Sequence, residues 1–277
     1  MCVCPNLTIT IPTLNEEKNL AGCLEAIGQN FAARVIIIDS GSTDKTKDIA
    51  LAFGAEVIDF KWDGKFPKKR NWFLREHRPQ TVWVLFLDAD EYLTAGFKQE
   101  LAKALKNSDK AGYWLNYSIY FMGKPLHGGY PLRKLALFKV GAGEYEKIDE
   151  EQWSKLDMEI HEHPVVEGDV GIIRNKIDHR DFQGIAHYVN KHNEYSDWEA
   201  RRYLKTMDEQ RRHNNWTWKQ KLKYRLMRSP LISIVYFLGS YIFMGGFLDG
   251  ARGLAFSILK MSYFAQVYCK IKENELK

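Results

Sequence analysis

The stretch Val82-Trp-Val-Leu-Phe-Leu-Asp88-Ala-Asp90-Glu91 constrains this chain more than any other. Six apolar residues in a row, several of them β-branched or aromatic, read as a strand buried on both faces. Such a strand belongs to a sheet covered by helices on each side. It runs directly into three carboxylates, Asp88, Asp90 and Glu91. In open α/β sheets ligands sit beyond the carboxyl ends of the strands. An Asp-x-Asp at that rim can hold a hard divalent cation against a phosphate. The same residue types also make an ordinary solvated turn, so the neighbouring strands have to decide.

Two more strands deliver polar loops in the same way. Leu7-Thr-Ile-Thr-Ile11 reads as a strand ended by Pro12, with Thr13 to Glu17 as its loop and Asn15 as the N-cap of a following helix. Arg34-Val-Ile-Ile-Ile38 is a second buried strand ending in Asp39 and the loop Ser40 to Asp44. A helix then runs through Ala52 and is stopped by Gly54, and Ala55 to Asp59 forms a third strand. This alternation predicts a parallel sheet with right-handed crossovers. Three acidic or polar loops at one sheet edge favour a nucleotide site over chance solubility. Neither a Gly-x-Gly-x-x-Gly nor a P-loop pattern occurs, which disfavours a dinucleotide fold and a P-loop NTPase. At 45% hydrophobic and 27% charged, the 277 residues can bury a core and are not broadly disordered. The four cysteines lack paired metal spacing, which disfavours zinc and fits a reducing compartment. No signal peptide is expected, because Met1 to Pro5 leads straight into the first strand.

Ile11-Pro-Thr-Leu-Asn-Glu-Glu17, Ile38-Asp-Ser-Gly-Ser-Thr-Asp-Lys-Thr46 and Leu87-Asp-Ala-Asp-Glu91 together resemble the family 2 glycosyltransferases. The resemblance implies an α/β fold of the GT-A nucleotide-sugar-binding type, with a mostly parallel central sheet. Within the family, His161-Glu162 and Gly246-Phe-Leu-Asp-Gly250 resemble the bacterial β-1,4-glucosyltransferases of lipopolysaccharide inner-core assembly. By that resemblance Pro12, Thr13 and Glu16 line the nucleoside pocket, and Leu14 stands where many relatives carry an aromatic. Asp39 would bond the base edge, uracil for a UDP-sugar. Asp88 would contact ribose or metal, and Asp90 would ligate Mg2+ or Mn2+ bridging the diphosphate. Lys68-Lys69-Arg70-Asn71 supplies cations suited to a diphosphate, with Arg70 the strongest candidate; Lys68 and Lys69 read equally as a solvated helix start.

An inverting transferase needs a carboxylate to take the proton from the attacking hydroxyl. In Glu159-Ile-His161-Glu162-His163 the resemblance points to Glu162, with Glu159 the alternative. On a strand those two acids face opposite sides, so only one can easily face the site. His161 and His163 are open to metal ligation or to plain hydrogen bonding, and His179-Arg180-Asp181 to closing over the diphosphate. Tyr130 and Arg133 are the acceptor-side candidates.

From about Phe182 the pattern turns helical. Ten Lys and Arg lie between Arg201 and Arg228 against only Asp208 and Glu209, interleaved with Trp216, Trp218 and Tyr224. Basic residues mixed with Trp and Tyr suit an anionic membrane surface, with nucleic acid as the competing partner. The uncharged run Ser229 to Leu248 argues against nucleic acid and is about the length of a bilayer span. A buried pair of core helices would also explain it. Lys270, Lys272 and Lys277 argue against a single crossing by the positive-inside rule. The expectation is therefore a catalytic domain over residues 1–181 and a helical membrane-associating region over residues 182–277. It would be an inverting, metal-dependent enzyme at the cytoplasmic face of the inner membrane, peripheral or monotopic. The enzyme would move a hexose from a nucleotide-sugar donor to a lipid-linked saccharide acceptor. The rivals are a polyprenyl-phosphate sugar synthase and a non-catalytic membrane-surface protein that keeps the nucleotide fold.

Overall fold

A computed structural model describes residues 3–147, 157–159, 162–181, 183–212 and 218–276. The chain gathers into two compact units, Met1–Ile119 with Leu132–Arg180, and Tyr120–Pro131 with Asp181–Lys277.

The first unit begins with β1 (Cys4–Thr13), α1 (Leu20–Ile27), β2 (Ala32–Asp39), α2 (Thr46–Phe53) and β3 (Glu56–Asp59). It continues through α3 (Lys69–Glu76), β4 (Trp83–Phe86), β5 (Glu91–Tyr92), α4 (Ala95–Leu105) and β6 (Gly112–Phe121). The last two residues of β6 pair with β7 (Lys124–Pro125) inside the second unit. The first unit resumes with β8 (Arg133–Lys139), β9 (Gly143–Tyr145), β10 (Pro164–Val166) and β11 (Val170–His179). Its main sheet runs β3-β2-β1-β4-β8-β6-β11-β5. Four of the seven pairings along that path are parallel; β4–β8, β8–β6 and β11–β5 are antiparallel. The fold is thus mixed α/β with a large, mostly parallel sheet.

The apolar strands are inside because both sheet faces are covered. Ile9, Ile11, Ile37, Ile38, Val84, Leu85, Leu137 and Phe138 have no exposed surface. Each such side chain contributes about 2 kcal/mol on burial. In α1 the residues Leu20, Cys23, Leu24 and Ile27 are buried, one helical stripe laid on the sheet. Asn15 departs from the expected N-cap role. It adopts φ 57° and its Oδ1 accepts the Thr43 N–H at 2.9 Å, while α1 starts at Leu20. Asn tolerates the left-handed region, so it ties two loops together instead of opening the helix.

The second unit is helical: α5 (Ile185–Arg212), α6 (Trp218–Met227), α7 (Leu231–Leu238) and α8 (Gly250–Glu275). A π-helical turn, Gly239–Phe243, and a 3-10 turn, Gly246–Asp249, separate the last two. Ala200, Tyr203, Met227, Ile232, Val267 and Ile271 form its core. Lys270 clasps α5 to α8 by donating to the Asn193 carbonyl and to Ser196 Oγ, at 2.7 and 2.8 Å. The uncharged run is not one rod. Leu231–Phe243 and the helix from Gly246 are bent by 70°, and among the described residues no single helix is long and apolar enough to cross a membrane.

The break is built from glycine. Gly245 takes φ 74°, a Cβ on Gly253 would lie 1.8 Å from the Gly246 carbonyl oxygen, and one on Gly128 would lie 2.0 Å from that of Gly245. Only glycine allows backbones to approach so closely. Asp249 fastens the same spot: its carboxylate accepts the backbone N–H groups of His127 and Gly128 at 2.9 Å.

Candidate active site at the acidic rim

Just after β4 the Leu87 N–H donates to the Thr10 carbonyl, and the chain delivers Asp88 to the rim. The turn that follows is closed by the Asp88 N–H donating to Glu91 Oε2 at 3.1 Å. Glu91, only 1% exposed, opens β5 and pairs there with His179 on β11. Two cations meet these acids. Arg70 Nη2 donates to Asp88 Oδ1 at 2.6 Å. Lys134 Nζ donates to Asp88 Oδ2 at 2.7 Å and to Glu91 Oε1 at 2.5 Å.

The electrostatics follow from that wiring. Burial alone would raise the Asp88 carboxyl, but Lys134 and Arg70 outweigh it and hold it well below the usual carboxylate range. Burial pushes Glu91 the other way, up to about 7, with the Asp88 charge adding to it and Lys134 opposing. Burial alone would lower the Lys134 ammonium, yet the two carboxylates raise it well above its ordinary value. Lys134 is therefore a permanent internal cation of the acidic rim.

Asp90 faces a different partner. His179 Nε2 stands 3.7 Å from Asp90 Oδ2, and the Arg180 N–H donates to the Asp90 carbonyl at 2.8 Å. A carboxylate and an imidazole, both mostly shielded from water, could hold a divalent cation, the carboxylate suiting Mg2+ or Mn2+. Asp88, expected beside Asp90 as a second ligand, has one oxygen committed to Arg70 and the other to Lys134. Among the described residues of the first unit, Asp90 and His179 bring a carboxylate oxygen and a ring nitrogen close to each other, and both are members of a group that could hold a metal ion.

The basic segment is not the solvated helix start that was one of its two readings. Lys68 and Lys69 are 5% and 2% exposed. Lys68 Nζ pairs with Glu162 Oε1 at 2.8 Å, and Lys69 Nζ with Asp157 Oδ2 at 3.2 Å. Arg70 also donates to the Glu159 carbonyl and lies 5.3 Å over the Tyr145 ring. Glu159 itself caps α3: its two oxygens accept the N–H groups of Arg70 and Asn71 at 2.8 and 3.0 Å. Burial raises its pKa even so. Of the two candidate bases, Glu159 is engaged with the backbone and Glu162 with a side-chain ammonium.

The loops after β1 and β2 follow the two strands next in the sheet order after β4. Asp39 is fully buried and both its oxygens are occupied: Thr13 Oγ1 and Ser42 Oγ donate to one, the N–H groups of Gly41 and Ser42 to the other. Burial works against its charge, but these bonds together lower its pKa. Asp39 is accordingly the organiser of the loop. Pro12 is buried and Leu14 exposed. The Glu16 N–H donates to Thr46 Oγ1 at 2.8 Å, while its carboxylate accepts from Asn19.

The first unit therefore holds Pro12, Thr13, Glu16, Asp39, Arg70, Asp88, Asp90, Arg133, Glu159 and Glu162, and the second unit holds Tyr130. Tyr130 is exposed, with its ring 6.0 Å from that of Tyr236. Arg133 is exposed, His163 is exposed, and His161 lies outside the described residues, as does Trp216. The residue sequence reasoning missed is Lys134, one position beyond Arg133. Strand alternation turns one of these neighbours out and the other in, but only the tertiary pairing tells which.

The family model for glycosyl transferase family 2 matches residues 8–148. A lipopolysaccharide core biosynthesis glycosyltransferase from Rhizobium meliloti is 27% identical over 91% of this chain and 89% of its own length. An uncharacterised glycosyltransferase from Rickettsia typhi is 28% identical over 96% of this chain and 87% of its own. Among solved structures, a glucosyl-3-phosphoglycerate synthase from Mycobacterium tuberculosis is 22% identical over 41% of this chain, with a TM-score of 0.33. This chain spans 44% of that one, a likeness too slight to carry an argument. The match that carries weight is the family model, and it covers the three rim loops together with Arg70 and Lys134: this chain belongs to glycosyl transferase family 2.

Proposed function

We propose that the protein is an inverting, metal-dependent hexosyltransferase that moves a sugar, glucose being the first candidate, from a UDP-sugar to a lipid-linked saccharide such as lipopolysaccharide inner core. It would work at the cytoplasmic face of the inner membrane. The observation that carries the reading is the juxtaposition of a metal-fitting pair, Asp90 and His179, with the buried cation Arg70 and the half-buried cation Lys134. The full-length relationship to a lipopolysaccharide core glycosyltransferase supports the acceptor class.

The roles follow from charge. Mg2+ or Mn2+ held by Asp90 and His179 would neutralise the negative charge that develops on a leaving nucleoside diphosphate. Arg70, braced by Glu159 and Tyr145, keeps a positive field at that rim without having to reorganise. Glu162 accepts the proton of the acceptor hydroxyl on its carboxylate, with Lys68 fixing its orientation. Glu159, bonded to two backbone N–H groups, supports α3 instead.

The test combines binding and turnover. Thermal unfolding is followed with a panel of nucleoside diphosphate sugars, in Mn2+ and in EDTA. A donor at about 100 times its Kd should stabilise the protein by about 2.7 kcal/mol, and only with metal. Asp90→Ala should lose that shift. Glu162→Gln should keep the shift and lose transfer. Full turnover in Glu162→Gln would remove the base assignment, and no shift with any donor would remove the transferase reading.

A further inference from the structure

The second unit carries an apolar surface that its own core does not use. Ile242, Phe243, Met244, Phe247 and Leu248 are exposed in succession across the break, Phe243 by 85% and Leu248 by 69%. On the arm leading in, Leu231, Ile234, Val235 and Leu238 of α7 are exposed as well. On the arm leading out, the exposed large hydrophobics of α8 are Leu254 and Ile258, with none further along the helix among the described residues. The apolar surface is therefore a wedge whose apex is the bend. So many exposed large apolar side chains within one stretch of chain mark an interaction site.

Length and charge identify the occupant. Leu231–Phe243 is thirteen residues, about 20 Å of helix, against a hydrocarbon core of about 30 Å. The exposed apolar part of α8, Gly250 to Ile258, reaches only about 13 Å. Both arms match one leaflet, about half of those 30 Å, and neither crosses two. The helix that feeds the wedge, α6, is basic, with Lys221 and Arg225 exposed and Arg228 just beyond its end. A basic helix joined to an apolar wedge complements anionic headgroups above and acyl chains below.

We infer that residues 231–258 form a re-entrant wedge that inserts into a single leaflet of an anionic membrane and returns to the side it entered. The glycine contacts among Gly128, Gly245, Gly246 and Gly253, with Asp249 fastened to His127 and Gly128, hold the bend that turns the chain back. The inference deepens the membrane part of the proposed function and rests on that reading for the lipid-linked acceptor alone.

The experiment uses the full chain and vesicles of phosphatidylethanolamine with phosphatidylglycerol. An NBD label is attached through Phe243→Cys in a background carrying Cys2→Ser and Cys269→Ser. Its emission should shift to the blue on vesicle binding, with quenching strongest from nitroxides in the upper and middle acyl chain. In the unlabelled protein with native Cys269, which is exposed, that thiol should stay reactive to an impermeant reagent outside the vesicles. The pair Phe243→Asp and Leu248→Asp should lower vesicle partition by about tenfold or more. It should leave the melting temperature and the donor-induced shift unchanged.

An aqueous label at position 243, unchanged partition in the double variant, or protection of Cys269 by the bilayer would each overturn the wedge. So would a dimer in solution that the double variant converts to monomer, since a second copy would then cover this face. Vesicle binding without any donor-induced shift would remove the transferase reading and leave the wedge standing.

Discussion

At the scale of single residues, the acidic rim depends on who neutralises whom. Lys134 serves two carboxylates at once, so removing it leaves Asp88 and Glu91 facing each other in a shielded site. Lys134→Met should cost about 2–3 kcal/mol in denaturant unfolding, below the range for a fully buried pair because Lys134 is partly exposed. Adding Glu91→Gln should recover part of that loss, and simple additivity of the two changes would refute the coupling. His192 offers a pH signature in the second unit. It stacks on Tyr188 at 3.8 Å and donates from Nδ1 to the Tyr188 carbonyl. Burial lowers its pKa to about 4, helped by Lys260 on α8 and by Lys191, while the bond to the Tyr188 carbonyl and the charge of Asp181 oppose. Tyr195 and Tyr263 complete its surroundings. The unfolded chain binds a proton at this residue below its ordinary value of about 6.5, and the folded chain only below about 4. Its contribution to stability is therefore whole above about pH 6.5 and is lost progressively as pH falls toward 4. His192→Gln should flatten that part of a stability-against-pH curve.

At the scale of elements, α3 is the part on which the site leans. Its first turn presents Lys69, Arg70 and Asn71, and its N-terminal N–H groups are satisfied by Glu159, ninety residues away from the helix start. Asn71 in turn brackets β9, donating to the Tyr145 carbonyl and accepting its N–H at 2.8 Å. Glu159→Ala should destabilise the protein by about 2–3 kcal/mol, two buried donors being orphaned. Glu159→Gln, which keeps an acceptor, should cost less. Much of this level is legible in sequence. The runs Leu7 to Ile11, Arg34 to Ile38 and Val82 to Leu87 correspond to β1, β2 and β4, because strands buried on both faces are rich in apolar and β-branched residues. What escaped is what long-range pairing creates. β5 is two residues long and exists only because β11 lies beside it, and that pairing is what carries His179 toward Asp90. No local pattern encodes a contact between residues 90 and 179. The triplet Asp88, Asp90, Glu91 reads as one acidic motif, yet the fold gives its members three environments: an ion-paired acid, a metal-fitting acid and a buried turn-closer.

At the scale of the whole molecule, the two units place their cations differently. The first takes its cations inside, Lys68, Lys69 and Arg70 being buried against acids. The second leaves Lys221, Arg225 and Arg228 on its surface. The apolar run from Ser229 to Leu248 was legible as uncharged, but its bend was not, since glycines alone do not state which backbones they let meet. The internal ammonium of Lys134 has a practical consequence for handling the protein. A rim of carboxylates that depended on a bound ion for its fold would collapse when the ion was stripped, and recovery would require refolding. Here a covalently attached cation already balances Asp88 and Glu91, so chelation should behave as a reversible switch. In EDTA the melting temperature of the donor-free protein should stay where it was, and donor binding should return at once when Mn2+ is restored. A fall in melting temperature on chelation alone would mean that Lys134 does not do this, and that the ion is a structural part of the molecule.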